Sequence, residues 1–139
     1  MEWLFWALLS ALFAGVTALL AKIGVAGINS NLATAIRTTV ILLFSWTIAL
    51  VTTRSAEFWS IGKRTWVFLV LSGIATGLSW LCYFRALQLG PISKVAPIDK
   101  LSVVVAMALA ITFLGEKLDL REGIGAGFIV LGAIVLAWK

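Results

Sequence analysis

From Leu4 to Ala21 the chain presents no charged side chain, and it does so for long enough to cross the hydrocarbon core of a bilayer as one helix. Four further apolar stretches follow, separated by short polar or charged connections. That repetition dictates the solvent. With 62% hydrophobic and 12% charged residues among 139, the apolar surface exceeds what a small globule can hide, since a domain of this size buries only about two-thirds of its chain surface. Lipid must cover the rest. Spans of about twenty residues joined by short turns leave room for five helices and no extramembrane domain. The reading is an all-α integral membrane protein, one domain over 1–139, with a five-helix bundle spanning about 3–26, 32–53, 65–89, 91–115 and 122–138.

The composition also narrows the chemistry. A net charge of +5 suggests nucleic acid in a soluble domain, but these Lys and Arg residues stand singly around helix ends, as topology determinants and phospholipid contacts do. No nucleic-acid partner is expected. With Cys82 as the one cysteine and no histidine, an internal disulfide and a Cys/His metal site both lack their ligands, and no cofactor is expected. The first apolar run lacks a preceding basic region and is too long for a signal peptide, so it reads as a retained span. An enzyme is disfavoured, because Asp99 has no partner carboxylate and Cys82 no base beside it in sequence.

In chain order, Ser10, Ala11, Ala14, Gly15 and Ala18 form a small-residue strip on span one. Gly27 to Asn31 is a turn by composition. Arg37 lies nearly two turns inside span two, where it either snorkels to the interface or faces a cavity. Arg54 to Arg64 is a loop edged by Trp59 and Trp66, which suit an interfacial belt. Span three carries Gly73-x-x-x-Gly77, a spacing that permits close helix crossing. Trp46, Trp80 and Tyr83 lie away from the belts and are candidates for cavity walls, with plain packing as the alternative. Glu116 to Glu122 is a charged connector. Gly123, Gly125, Gly127 and Gly132 give the last span a smooth flank suited to a dimer contact.

Span four holds the strongest signal. Asp99 and Lys100 sit two to three turns in from Pro91, and each charge costs about 2.5–3.5 kcal/mol near the bilayer centre. Pro97 removes a backbone donor and frees the carbonyl of Ser93, just before those charges. Interrupted helices of this kind recur at transporter binding sites, and a tolerated kink is the alternative. Folding the spans back on one another brings Arg37, Arg85, Asp99 and Lys100 to similar depths in one leaflet, a network whose excess positive charge suits an anionic or zwitterionic solute. Lys/Arg asymmetry between the two sides is modest, so both membrane orientations are open.

From Ser72 to Ala137 the sequence resembles an EamA-type domain of the drug/metabolite transporter superfamily. YFRALQLG at the end of span three, VAPIDKLS in span four, FLGEKL at the turn and the glycine-rich last span carry the likeness, and Arg37 matches an arginine often present in the second span. The resemblance implies half of a ten-helix inverted-repeat transporter. In single-unit members an antiparallel homodimer completes it, in the inner (plasma) membrane of a bacterium or archaeon. The four-span exporters of the superfamily use a glutamate in their first span, where this chain has only Glu2.

The function expected is therefore secondary active transport, the export of small polar, amino-acid-like metabolites by a homodimer among membrane lipids. Asp99, Lys100, Arg37 and Arg85 form its charged network, and Trp46, Trp80, Tyr83 and Pro97 line its cavity. No GxxxxGK[ST] loop occurs in the sequence, so the drive is a proton or solute gradient. The alternative is a non-transporting assembly subunit that binds partner helices or lipid.

Overall fold

The computed structural model describes residues 2–54 and 60–138. In them the chain forms α1 (Glu2–Gly24), α2 (Ser30–Thr52), α3 (Lys63–Leu89), α4 (Ile92–Asp99), α5 (Ser102–Leu109) and α6 (Leu120–Ala137). A π-turn, Ala110–Leu114, continues α5, so that α4, α5 and this turn make one span over Ile92–Leu114. Five helical spans are then long and apolar enough to cross a membrane. Trp59, placed above in an interfacial belt, lies outside the described residues, as does Lys139.

Local chemistry explains the boundaries. Glu2 in the first turn of α1 and Lys22 in its last complement the helix dipole. Gly27, at φ 78°, turns the chain in a conformation that L side chains rarely adopt. Asn29 then caps α2, its side chain accepting from the Asn31 N–H at 2.8 Å. This cap starts α2 at Ser30, two residues earlier than the apolar pattern suggests. The last connection behaves the same way. Asp119 and Glu122 form a capping box, with the Asp119 N–H donating to Glu122 Oε2 at 2.9 Å, so part of the expected charged connector belongs to α6.

Several threonine hydroxyls within the spans are satisfied by their own helices. Thr34, Thr38, Thr47 and Thr52 on α2, Thr76 on α3 and Thr112 in the π-turn each donate to the carbonyl four residues back, at 2.8–2.9 Å. None of these groups asks anything of lipid.

Contacts divide the chain into two compact units, Ala21–Gln88 and Met1–Leu20 with Leu89–Lys139. In the first, Val25, Ala33, Thr34, Phe84 and Leu87 are buried. Ala33 and Thr34 recur with Arg37 at helical spacing on α2, as Trp80, Phe84 and Leu87 do on α3. Polar bonds lock this packing: Lys22 donates to the Leu87 carbonyl, and Gln88 Nε2 donates to the carbonyls of Ile28 at 2.6 Å and Val25 at 3.4 Å. The turn between α1 and α2 is thereby fastened to the end of α3.

In the other unit α4 packs along α6, α5 also meets α6, and Ala133 is buried. The glycines face elsewhere. A Cβ built at Gly123, Gly125, Gly127 or Gly132 meets nothing within 4 Å, and the same holds at Gly73 and Gly77. No close crossing uses these positions among the described residues.

Gln88→Ala removes both bonds to the α1–α2 turn. It is expected to destabilise the protein by about 1 kcal/mol and to speed amide exchange at the turn. Unchanged exchange and an unchanged unfolding midpoint in a bilayer mimetic contradict the fastening role.

Candidate functional site

Within Ala21–Gln88, the helix spacing that buries Ala33 and Thr34 turns Arg37 toward α3. Its guanidinium carbon lies 4.0 Å from the centroid of the Trp80 ring and 5.6 Å from that of Phe84. Trp80 and Phe84 are one turn apart, so they line one strip of α3. The hydrogen bond from Gln88 to Ile28 supplies a reference level for depth. Counting inward at 1.5 Å per residue puts Arg37 about 13 Å and Trp80 about 12 Å from it. The ring that holds the guanidinium is at Arg37's own depth.

The energetics leave a deficit. A cation over an aromatic face gains about 0.5–2 kcal/mol, less than the roughly 2.5–3.5 kcal/mol that the charge costs near the centre of a bilayer. Among the described residues of its own unit, Arg37 has aromatic neighbours and the Tyr83 phenol as an electrostatic one, and no carboxylate pairs with it. Arg85 differs. It is exposed, and its guanidinium donates to Gln88 Oε1 at 3.1 Å. Tyr83 is half-buried beside these residues in sequence, and Trp46 is exposed on α2. Sequence reasoning overlooked Gln88 and Phe84. A glutamine before a helix end and a phenylalanine one turn from a tryptophan carry no separate signal until the partner helix is known.

In the other unit, the span that contains Pro97 breaks just past it. The Lys100 N–H bonds to the Pro97 carbonyl at 3.1 Å, and that of Leu101 to Ile98 at 3.0 Å. The spacing of three tightens the helix between α4 and α5 into a 3₁₀ turn. Several carbonyls around the break lose their usual donors four residues on, among them those of Ser93, Ala96 and Asp99. That of Ser93 does so because Pro97 has no N–H, as the sequence indicates. That of Ala96 does so because Lys100 donates elsewhere. The sequence revealed only that of Ser93. Lys100 Nζ lies 3.8 Å from Asp99 Oδ2, with the side chains 58% and 38% exposed. So open a pair contributes little to stability. Its position at a helix interruption is what sets it apart.

The same unit has an open groove of about 560 Å³, walled by Val103, Met107 and Ala110 and ended by Glu116, Lys117 and Glu122. Of the four charges expected to act together, Arg37 and Arg85 belong to one unit and Asp99 and Lys100 to the other.

The model of the EamA-like transporter family matches residues 1–138. A Sinorhizobium protein described as an uncharacterized transporter in the cobO 3'region is 55% identical over 136 residues, covering 98% of this chain and 96% of that one. A Yersinia pseudotuberculosis serotype O:1b protein described as a probable 4-amino-4-deoxy-L-arabinose-phosphoundecaprenol flippase subunit ArnE is 31% identical over 71 residues. That match covers 51% of this chain and 62% of the relative. A Yersinia pestis (strain Pestoides F) protein of the same description matches to the same extent. No solved structure matches the chain.

Proposed function

The chain belongs to the EamA-like transporter family and is a multi-pass membrane transporter, and on that premise we propose that it exports small polar, amino-acid-like metabolites as an antiparallel homodimer. The observation that carries the reading is the break between α4 and α5, where several carbonyls lose their usual donors around Asp99 and Lys100. Freed carbonyls and helix ends are the groups that contact solutes and coupling ions in transporters with broken helices. We read Asp99 and Lys100 as the solute and coupling groups at that break and Arg37 and Arg85 as the charged groups of the other unit, with Pro97, Trp46, Trp80 and Tyr83 as candidate cavity residues. Asp99 is the proton-carrying group.

A homodimer supplies what one copy lacks. Each span has at most 11% of its apolar window buried in the chain itself, and the flank of Gly123, Gly125, Gly127 and Gly132 is open. An antiparallel partner gives ten helices related by an inverted repeat, the general solution to alternating access about a central site. The setting is the inner (plasma) membrane of a bacterium or archaeon.

The word subunit in the description of the ArnE relatives favours a second reading. In it the chain binds partner helices or lipid within a larger assembly and does not transport alone.

Proteoliposomes carrying the purified chain and an imposed pH gradient separate the two. Flux of at least one amino acid is expected, with proton-coupled flux lost in Asp99→Asn and strongly reduced in Lys100→Ala. Full coupling in Asp99→Asn removes Asp99 from the mechanism. No flux until a partner protein is added favours the subunit reading.

Pairing is tested in a Cys82→Ser background with Asn29→Cys and Ser60→Cys, which the order of the spans puts at opposite faces of the membrane. Antiparallel packing predicts cross-links between the two variants when they are mixed, and like-with-like cross-links alone contradict it.

A further inference from the structure

We propose that the placement of the Arg37 guanidinium over Trp80, beside Phe84, makes this arginine a binding group for an oxyanion, a carboxylate or phosphate taken in two hydrogen bonds by its N–H groups. The inference deepens the transport reading and rests on it only for the statement that the oxyanion belongs to the cargo.

Three observations combine. The first is orientation. A guanidinium is planar, and stacking its face on a ring occupies none of its five N–H donors. At 4.0 Å from the Trp80 centroid, the guanidinium carbon of Arg37 is held over the ring by a contact that needs no oxygen acceptor. A fork of parallel N–H groups matches the two oxygens of a carboxylate or phosphate, which a lysine ammonium cannot reproduce.

The second is the deficit left by the stack. Arg37 lies about 13 Å inside the level of the Gln88–Ile28 bond, by helix rise, and the aromatic contact alone, at about 0.5–2 kcal/mol, does not neutralise its charge. Its own unit gives it aromatic faces and the Tyr83 phenol as an electrostatic neighbour, and no carboxylate pairs with it among the described residues. The neighbouring cation on α3 is already engaged, since Arg85 donates to Gln88. An incoming oxyanion is the group that removes the deficit at Arg37.

The third is rigidity. The site stands on the buried contacts of Ala33, Thr34, Phe84 and Leu87 and is fastened at its end by Lys22 and Gln88. Little side-chain freedom is then left to lose when the anion binds, which favours affinity.

The oxyanion can come from a soluble solute or from a lipid phosphate, and the test separates them. The chain is placed in phosphatidylcholine nanodiscs, and two NMR signals are followed, the Arg37 Nε–H, assigned by its loss in Arg37→Lys, and the Trp80 indole N–H. Inorganic phosphate is titrated at constant ionic strength, with tetramethylammonium chloride as the control, and the disc is then remade with phosphatidylglycerol.

A saturable shift of both signals with phosphate, the other arginines staying put, supports a soluble oxyanion. A shift confined to Arg37 and Trp80 on adding phosphatidylglycerol supports a lipid phosphate. Arg37→Lys, read at Trp80, is expected to weaken binding at least tenfold while keeping the charge. Absence of a shift under both conditions, an equal shift of every arginine, or undiminished affinity in Arg37→Lys overturns the proposal. Because binding is read at equilibrium, it separates from transport. Flux with no perturbation at Arg37 defeats this inference alone, and binding with no flux defeats the transport reading alone.

Discussion

A positive charge held at depth without a matching acceptor is the constraint on which the account depends. Lipid tolerates apolar helices freely and penalises every group that breaks the pattern. In this chain most polar groups evade the penalty locally, the threonines by bonding back into their own helices and the helix ends by Asn29, Asp119 and Glu122. Arg37 does not. It is carried by two aromatic rings of the next helix, which orient it without neutralising it.

The second departure from the pattern is of another kind. Between α4 and α5 the backbone itself is interrupted, and there the missing N–H of Pro97 and the tightened turn around Lys100 leave several carbonyls without their usual donors. One unit of the fold thus presents donors and the other presents acceptors with an ion pair.

Much of this architecture was legible because lipid makes sequence patterns blunt. Uncharged runs announced the five spans, and they lie where the periodicity put them, apart from boundary shifts of a residue or two. The shifts have causes: Asn29 and Asp119 are caps whose effect depends on side-chain hydrogen bonds, and an apolar count does not register them. The charged residues of interest were legible for the same reason, since Arg37, Asp99 and Lys100 stand out against hydrocarbon. What stayed hidden was pairing across helices. Nothing in the spacing of Trp80 and Phe84 says that Arg37 lies over them, and nothing in YFRALQLG says that Gln88 fastens a turn sixty residues away. Glycine patterns were legible and silent in the folded chain, because the space beside each one is open.

Water at the Arg37 position is the point on which the whole account turns, and it can be measured. In a Cys82→Ser background reconstituted in liposomes, Arg37→Cys is exposed to a membrane-impermeant charged thiol reagent, with Leu43→Cys as an apolar reference on the same helix and Asn29→Cys as an aqueous one. The account predicts that Arg37→Cys reacts at a rate within about a factor of ten of Asn29→Cys and far faster than Leu43→Cys. Reaction as slow as that of Leu43→Cys places the position in dry hydrocarbon or sealed packing and contradicts it.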